Sequence, residues 1–316
     1  MSTTESSLKV ALDGGEKPKS LAEVWDAAPA YARRLSVLLL ALLTIGLYAR
    51  VIRGLAIDWW EDPNYSHGLL IPFFVAFVFW RERARYRHLL VQPSNAGLLV
   101  MIAAIVLLLA GSLGSDPLTA RVSLLMLLAG LVLVLAGRAA LRAAAFPLGC
   151  LVLMIPIPTI LLNQIVVPLQ SLASRLATTA LEAFGYAVLR EGNILNIGDS
   201  AIEVAEACSG IRSLFSIIAL AVGYGYITKS RLWVRLAIVV AMVPVTIAAN
   251  AVRVVSAGLV AYHLGPERVE GFLHTFSGLL VFATAVGLMV ILHRMLEGLV
   301  RKGVRIRRRP LGNQIA

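Results

Sequence analysis

Apolar residues run along this chain in long blocks, separated by short basic segments. Eight blocks stand out, at 35–53, 68–80, 97–114, 121–137, 144–167, 211–228, 235–262 and 278–298. A helix rises about 1.5 Å per residue, so roughly 20 apolar residues cross the hydrocarbon core. Most of the blocks approach or exceed that length. The second, "GLLIPFFVAFVFW", is short; it must borrow flanking residues or re-enter the bilayer. The pattern predicts an all-α polytopic membrane protein with about eight transmembrane helices.

The charges between the blocks predict an orientation. With the N-terminus inside, the inner segments are 1–34, "RERARYRHLL", "RAALR", "KSRLWVR" and "RKGVRIRRR". Together with Arg294 they hold 21 of the 29 Lys and Arg residues. Lys and Arg favour the cytoplasmic side, so both termini are expected there. The polar stretch 1–34 reads as a disordered cytoplasmic tail, 35–298 as one transmembrane domain, and 299–316 as a basic cytoplasmic tail. Residues near Met1 lack an apolar core, so no cleaved signal peptide is predicted.

The longest outer segment is 168–210. "PLQSLASRLATTALEAFGYAVL" has helical spacing and predicts an interfacial amphipathic helix. "REGNILNIGDSAIEVAEA" alternates about a Gly-Asp turn and predicts a small β-hairpin, 190–198 against 201–206. Outer-face chemistry is expected here, because the other outer loops are too short to build a site.

Composition narrows the function. The chain is 59% hydrophobic with a mean hydropathy of +0.81, above the roughly 45–50% apolar content of soluble domains. The net charge of +11 does not point to nucleic acid, because the basic residues recur between apolar blocks instead of forming one patch. Two cysteines, 150 and 208, give no CxxC, zinc spacing or disulfide framework. Dinucleotide, P-loop and zinc-protease motifs are absent. No cofactor or metal is expected.

Cys208 stands where the outer segment meets the sixth block, in "EACSGIRSL". Ser and Gly suit a helix N-cap, and free N–H groups at a helix start favour a thiolate or an oxyanion. A small buried apolar residue is the alternative reading for any lone cysteine. For Cys150, in "FPLGCLVLMIP", that structural reading is preferred. Cys150 and Cys208 are expected on opposite sides of the membrane.

Arg253 interrupts the seventh block. It lies 18 residues after Arg235, about 27 Å along a helix, and so near the outer face with Cys208. The apolar run continues to Tyr262, so Arg253 is expected to face the bundle instead of snorkelling. Asn250 shares its helical face. His274, in "HTFSG", stands at the outer mouth of the eighth block. Histidine suits proton transfer to and from a nucleophilic cysteine. His67, in "NYSHGLLIP", competes for that role. His88 and His293 lie toward the inner side, and His263 ends a block without motif context.

These residues resemble the exosortases and the related archaeosortases. The resemblance covers about 55–298 and rests on "YSHGLLIP", "IPIP", "REGNIL", "EVAEACSGIRSL", "NAVR" and "HTFSG" in this order. It implies a cysteine protease or transpeptidase of the bacterial cytoplasmic membrane, with its site facing outward. Its implied partners are membrane-anchored proteins bearing a C-terminal sorting signal (a Pro-Glu-Pro-like motif, a helix and a basic tail), an acceptor nucleophile and the lipid bilayer, with no nucleic acid. The implied catalytic residues are Cys208, Arg253 and His274, with Ser209, Asn250 and His67 as supporting or substrate-binding candidates. The rival reading is a transporter or assembly component for an envelope exopolysaccharide. Prolines 156, 158 and 244 and an intramembrane arginine suit it, whereas the lack of an internal repeat does not. A membrane acyltransferase would share the thioester logic but need a lipid donor.

Overall fold

In the computed structural model, which describes residues 29–89, 91–198, 200–203, 210–228, 230–265 and 272–307, helices carry most of the chain. They are α1 (Ala30–Leu47), α2 (Ala49–Glu61), α3 (Leu70–Arg81), α4 (Arg83–Arg87), α5 (Ala96–Leu113), α6 (Pro117–Cys150), α7 (Thr159–Ala183), α8 (Gly210–Ile227), α9 (Leu232–Leu264) and α10 (Phe272–Arg307). Short 3-10 turns at Ser66–Leu69 and Leu151–Met154 precede α3 and follow α6. Strands β1 (Val188–Glu191), β2 (Ile194–Ile197) and β3 (Ser200–Glu203) form an antiparallel sheet in the order β1-β2-β3. The chain divides into two units, Met1–Ala56 with Val75–Ile155, and Ile57–Phe74 with Pro156–Ala316.

In the first unit, α5 and α6 form a tightly packed hairpin. Small residues let the backbones approach: a Cβ added to Gly97 would stand 2.8 Å from the Gly130 carbonyl oxygen, and one on Gly111 would stand 2.6 Å from the Ala120 nitrogen. Asp116 caps α6, accepting from the Leu118 N–H at 3.1 Å and the Thr119 N–H at 3.3 Å, with Pro117 as the first helical residue. The Thr119 hydroxyl, then these N–H groups, hold its carboxyl below the ordinary carboxylate value against the opposing effect of burial. The Tyr48 hydroxyl meets Ser123 Oγ at 3.1 Å in the interior. Helix α1 instead turns Leu35, Leu38, Leu39, Leu42 and Leu43 outward, as a lipid-facing helix does.

Helix α6 changes direction at Gly137, which has φ 84° and ψ −173°. An added Cβ there would fall 1.8 Å from the Gln92 carbonyl oxygen. This backbone region belongs to glycine. Gly137→Ala is therefore expected to destabilise the protein by at least about 1–3 kcal/mol from backbone strain alone. Thermal unfolding in detergent would register this as a lower midpoint.

In the second unit, α9 runs through two cores. Its first half packs with α8 and α10 around Ile217, Ala221, Ile238, Met242, Ala285 and Met289. Its second half packs with α7 and the sheet: Val254 joins Ala177 and Leu195, and Ala261 joins Leu181, Ile197 and Ile202. Alternation along β2 turns Leu195 and Ile197 inward, so the sheet lies on α7 and α9 by one face.

Among the described residues, five helices are long and apolar enough to span a membrane: α5, α6 with its following turn, α7, α9 and Phe276–Val300 of α10. The pair Arg34–Leu47 and Ala49–Glu61, bent by 66°, makes a sixth if it is one broken span. Ser66–Arg81 and Arg212–Ile227 are apolar but shorter, so the described residues do not by themselves establish the expected eight spans. Three boundaries also differ. The expected loop "RAALR" is helical, because Ala, Leu and Arg continue α6 beyond the kink. The break falls instead at 155–158, where Pro156 and Pro158 lack N–H groups. The second half of the expected fifth span consequently joins the expected interfacial helix as α7, which carries Pro168 within it. The hairpin is a three-stranded sheet, because Gly192, at φ 62°, makes a turn inside the expected first strand. Residues 1–28 lie outside the described part; α1 begins at Ala30, and α10 continues to Arg307.

Candidate active site

Arg253 and Asn250 are in the second half of α9, where the helix meets α10. Arg253 is 4% exposed and Asn250 9%. The guanidinium rests on Gly278 of α10. Its Cζ and Nη2 lie 3.7 Å, and its Nη1 3.8 Å, from where a Gly278 Cβ would stand. Near-equal distances to three atoms of a planar group mean that its face, not its edge, is turned to the glycine. A larger residue at 278 would occupy that space. This burial agrees with the expectation that Arg253 faces the bundle.

His274 lies on the same helix, four residues before Gly278 and so one turn away on the same face. Its side chain, and all of Cys208 and Ser209, lie outside the described residues. What the structure gives for Cys208 is the helix that follows it. The described part of α8 begins at Gly210, and the expected position of Cys208 at a helix N-terminus lies outside the described residues.

His67 belongs to the turn before α3, and this segment lies along α8. The rings of Tyr65 and His67 stand 6.3 and 6.2 Å from that of Phe215, while Gly223 lies against Phe74. The Tyr65 hydroxyl donates to the Ile157 carbonyl at 3.0 Å. The Trp59 indole covers Gly68 so closely that a Cβ there would be 2.5 Å from it. His67 Nδ1 is buried. His67 is thus held on the first turns of α8.

The remaining histidines serve other contacts. His263 Nε2 meets the Tyr186 hydroxyl at 2.8 Å beside the sheet. His293 links three elements of the second unit: Nδ1 meets the Tyr224 hydroxyl and Nε2 meets Ser230 Oγ, each at 2.8 Å, with Glu297 at 3.8 Å. Only the Glu297 spacing, one turn along α10, is visible in sequence. His88 is exposed. Cys150 is a free thiol, 3% exposed, as its structural reading requires. Among the described residues, no group of three or more His, Cys, Asp or Glu is arranged to hold a metal.

The sequence reading did not assign Gly278 or Phe215 a part. Gly278 closes the "HTFSG" motif, and that motif was the available signal. The Phe215–His67 contact joins residues far apart in sequence, and no local pattern announces it.

No curated protein and no solved structure matches the chain. The transmembrane exosortase family matches it over residues 59–291. That range is most of the chain and contains Cys208, Arg253 and His274; the protein belongs to the transmembrane exosortase family.

Proposed function

We propose that this exosortase is a cysteine transpeptidase or protease that cleaves C-terminal sorting signals at the outer face of the cytoplasmic membrane. The observation that carries the reading is the buried Arg253 guanidinium lying against α10, one turn from His274. Helix levels support adding Cys208. The Tyr224 hydroxyl of α8 meets His293 Nδ1 of α10 at 2.8 Å. Fourteen residues, about 21 Å, back along each helix lead to Gly210 and Leu279, the neighbour of Gly278. The start of α8 and the Arg253 site therefore fall at similar depth.

In this reading the Cys208 thiolate attacks the scissile carbonyl, forming a C–S bond. The tetrahedral oxyanion is held by the Arg253 guanidinium and by N–H groups at the start of α8. Collapse breaks the C–N bond, and protonated His274 gives its proton to the departing amine. Water or an acceptor amine then attacks the thioester, its proton passes to His274, and the thiolate is released. A membrane-anchored substrate presents its cleavage point at a fixed height, which is why an interfacial site suits it. Asn250 and Ser209 support the constellation.

The test is to trap the intermediate. The full chain is incubated with a sorting-signal substrate, quenched and digested. Mass spectrometry should find the substrate's N-terminal portion on the Cys208 peptide, released by neutral hydroxylamine. An adduct on another residue, or turnover with no covalent adduct under single-turnover conditions, rejects the thioester route.

The two histidines separate by substitution. His67 packs on Phe215, five residues and about 7.5 Å into α8, rather than at its start. His274→Ala is expected to cost at least about tenfold more activity than His67→Ala, given a general acid–base contribution of about 10²–10⁴. Single-turnover rates across pH would check this: only His274→Ala should lose the limb governed by the base.

A further inference from the structure

We infer that the first unit carries a site for an anionic glycerophospholipid, independent of the proposed peptide chemistry. A cavity of about 390 Å³ opens between α4 and the middle of α6. Its walls are almost wholly apolar, with Phe79, Leu89, Val132 and Ala140 among them, while Arg83 and Arg87 stand at its lining one helical turn apart.

Three observations fix the occupant's chemistry. The first is the setting. Helix α6, long and apolar enough to span the bilayer, forms one wall of the cavity, so its ordinary neighbours are lipids, and apolar walls hold an acyl chain better than water. The second is height. Trp80 is 62% exposed, and the Arg83 guanidinium lies 4.8 Å over its ring. An exposed tryptophan beside arginines marks the headgroup level.

The third is charge. Arg85 is paired with Glu82 at 3.2 Å and points to that partner. Arg83 donates one N–H to the Trp80 carbonyl at 2.9 Å, which fixes its direction and leaves other N–H groups for a ligand. Arg83 and Arg87 are both exposed, as are Arg138 and Arg142 on the adjoining stretch of α6. Two exposed arginines, one helical turn apart at the lining of an apolar cavity, match a phosphodiester on an acyl chain. Tyr86 also lines the cavity. Its hydroxyl donates to the Ala143 carbonyl at 3.4 Å, and its ring lies 5.3 Å from Phe79, tying α4 to α6.

The experiment uses the full chain in nanodiscs of phosphatidylcholine with a minor share of phosphatidylglycerol, and native mass spectrometry reads the retained lipid. The wild type should retain phosphatidylglycerol over phosphatidylcholine by about tenfold or more, corresponding to about 1.4 kcal/mol. R83Q/R87Q should remove that preference; both side chains are exposed, so the fold should tolerate it. A140F, which fills the cavity and leaves the charges, should lower retention as well. R50Q/R53Q should behave as wild type. Inorganic phosphate should not displace the lipid. Unchanged preference in R83Q/R87Q overturns the site. So does an equal loss in R50Q/R53Q, which would mean diffuse charge attraction, or displacement by phosphate alone, which would remove any role for the cavity.

Discussion

Cys208→Ala is expected to abolish processing of a sorting-signal substrate, with a rate loss on the order of 10⁴-fold or more. The size follows from the chemistry. Without the sulfur no acyl-enzyme can form, and the oxyanion-stabilising groups alone recover little of the rate. Cys208→Ser should also be nearly inactive. A serine hydroxyl is a far weaker nucleophile than a thiolate near neutral pH. Cys150→Ala is the internal control. That thiol is buried in the first unit and takes no part in the proposed reaction, so processing should persist. Conversion of a membrane-anchored reporter, compared at equal membrane abundance of each variant, measures all three. Wild-type conversion by Cys208→Ala would reject the peptidase reading and favour a role in moving or assembling an envelope polysaccharide.

Legibility in the sequence followed the range of the forces involved. Hydropathy located the helix at 97–114 to within a residue, because an apolar block of span length has few other solutions in a bilayer. It ended one block at 137, where Gly137 leaves helical geometry, but it carried the next, 144–167, through the break at Pro156 and Pro158. Hydropathy senses lipid exposure, whereas the actual break depends on Pro156 and Pro158, and the kink depends on Gly137 meeting the Gln92 carbonyl. The "EGN" turn was overlooked because alternation continues through it, although Gly192 was the sign of a reversal. Arg253 was read correctly as buried, because an arginine followed by eight apolar or small residues cannot simply mark a helix end. Its placement on Gly278 and the packing of His67 on Phe215 are meetings between distant segments. Periodicity carries no record of them. The proposal of His274 and Arg253 as partners for the thiol came from the family motifs, and physical reasoning on the residues alone left His67 and His274 as alternatives.

Arg253→Lys is expected to lower the single-turnover rate by about 10²–10³-fold, the usual cost of losing a donor to the oxyanion. The substitution keeps a positive charge, so a simple electrostatic role would survive it. A guanidinium offers a planar fork of N–H groups, which an ammonium cannot reproduce. The fork has a defined direction because its face lies on Gly278. That contact supplies a second, independent test. Gly278→Ala places a methyl group at ordinary van der Waals distance from the guanidinium, 3.7–3.8 Å, and should reduce the rate less than tenfold. Gly278→Leu extends into the space that the guanidinium fills. It should approach the Arg253→Lys loss while the native arginine remains in the chain. Monodisperse elution and an unchanged melting midpoint would show that each variant is folded. If Arg253→Lys and Gly278→Leu both retain wild-type single-turnover rates, the guanidinium does not hold the oxyanion. Arg253 would then serve the packing of α9 on α10, and the N–H groups at the start of α8 would carry the stabilisation alone.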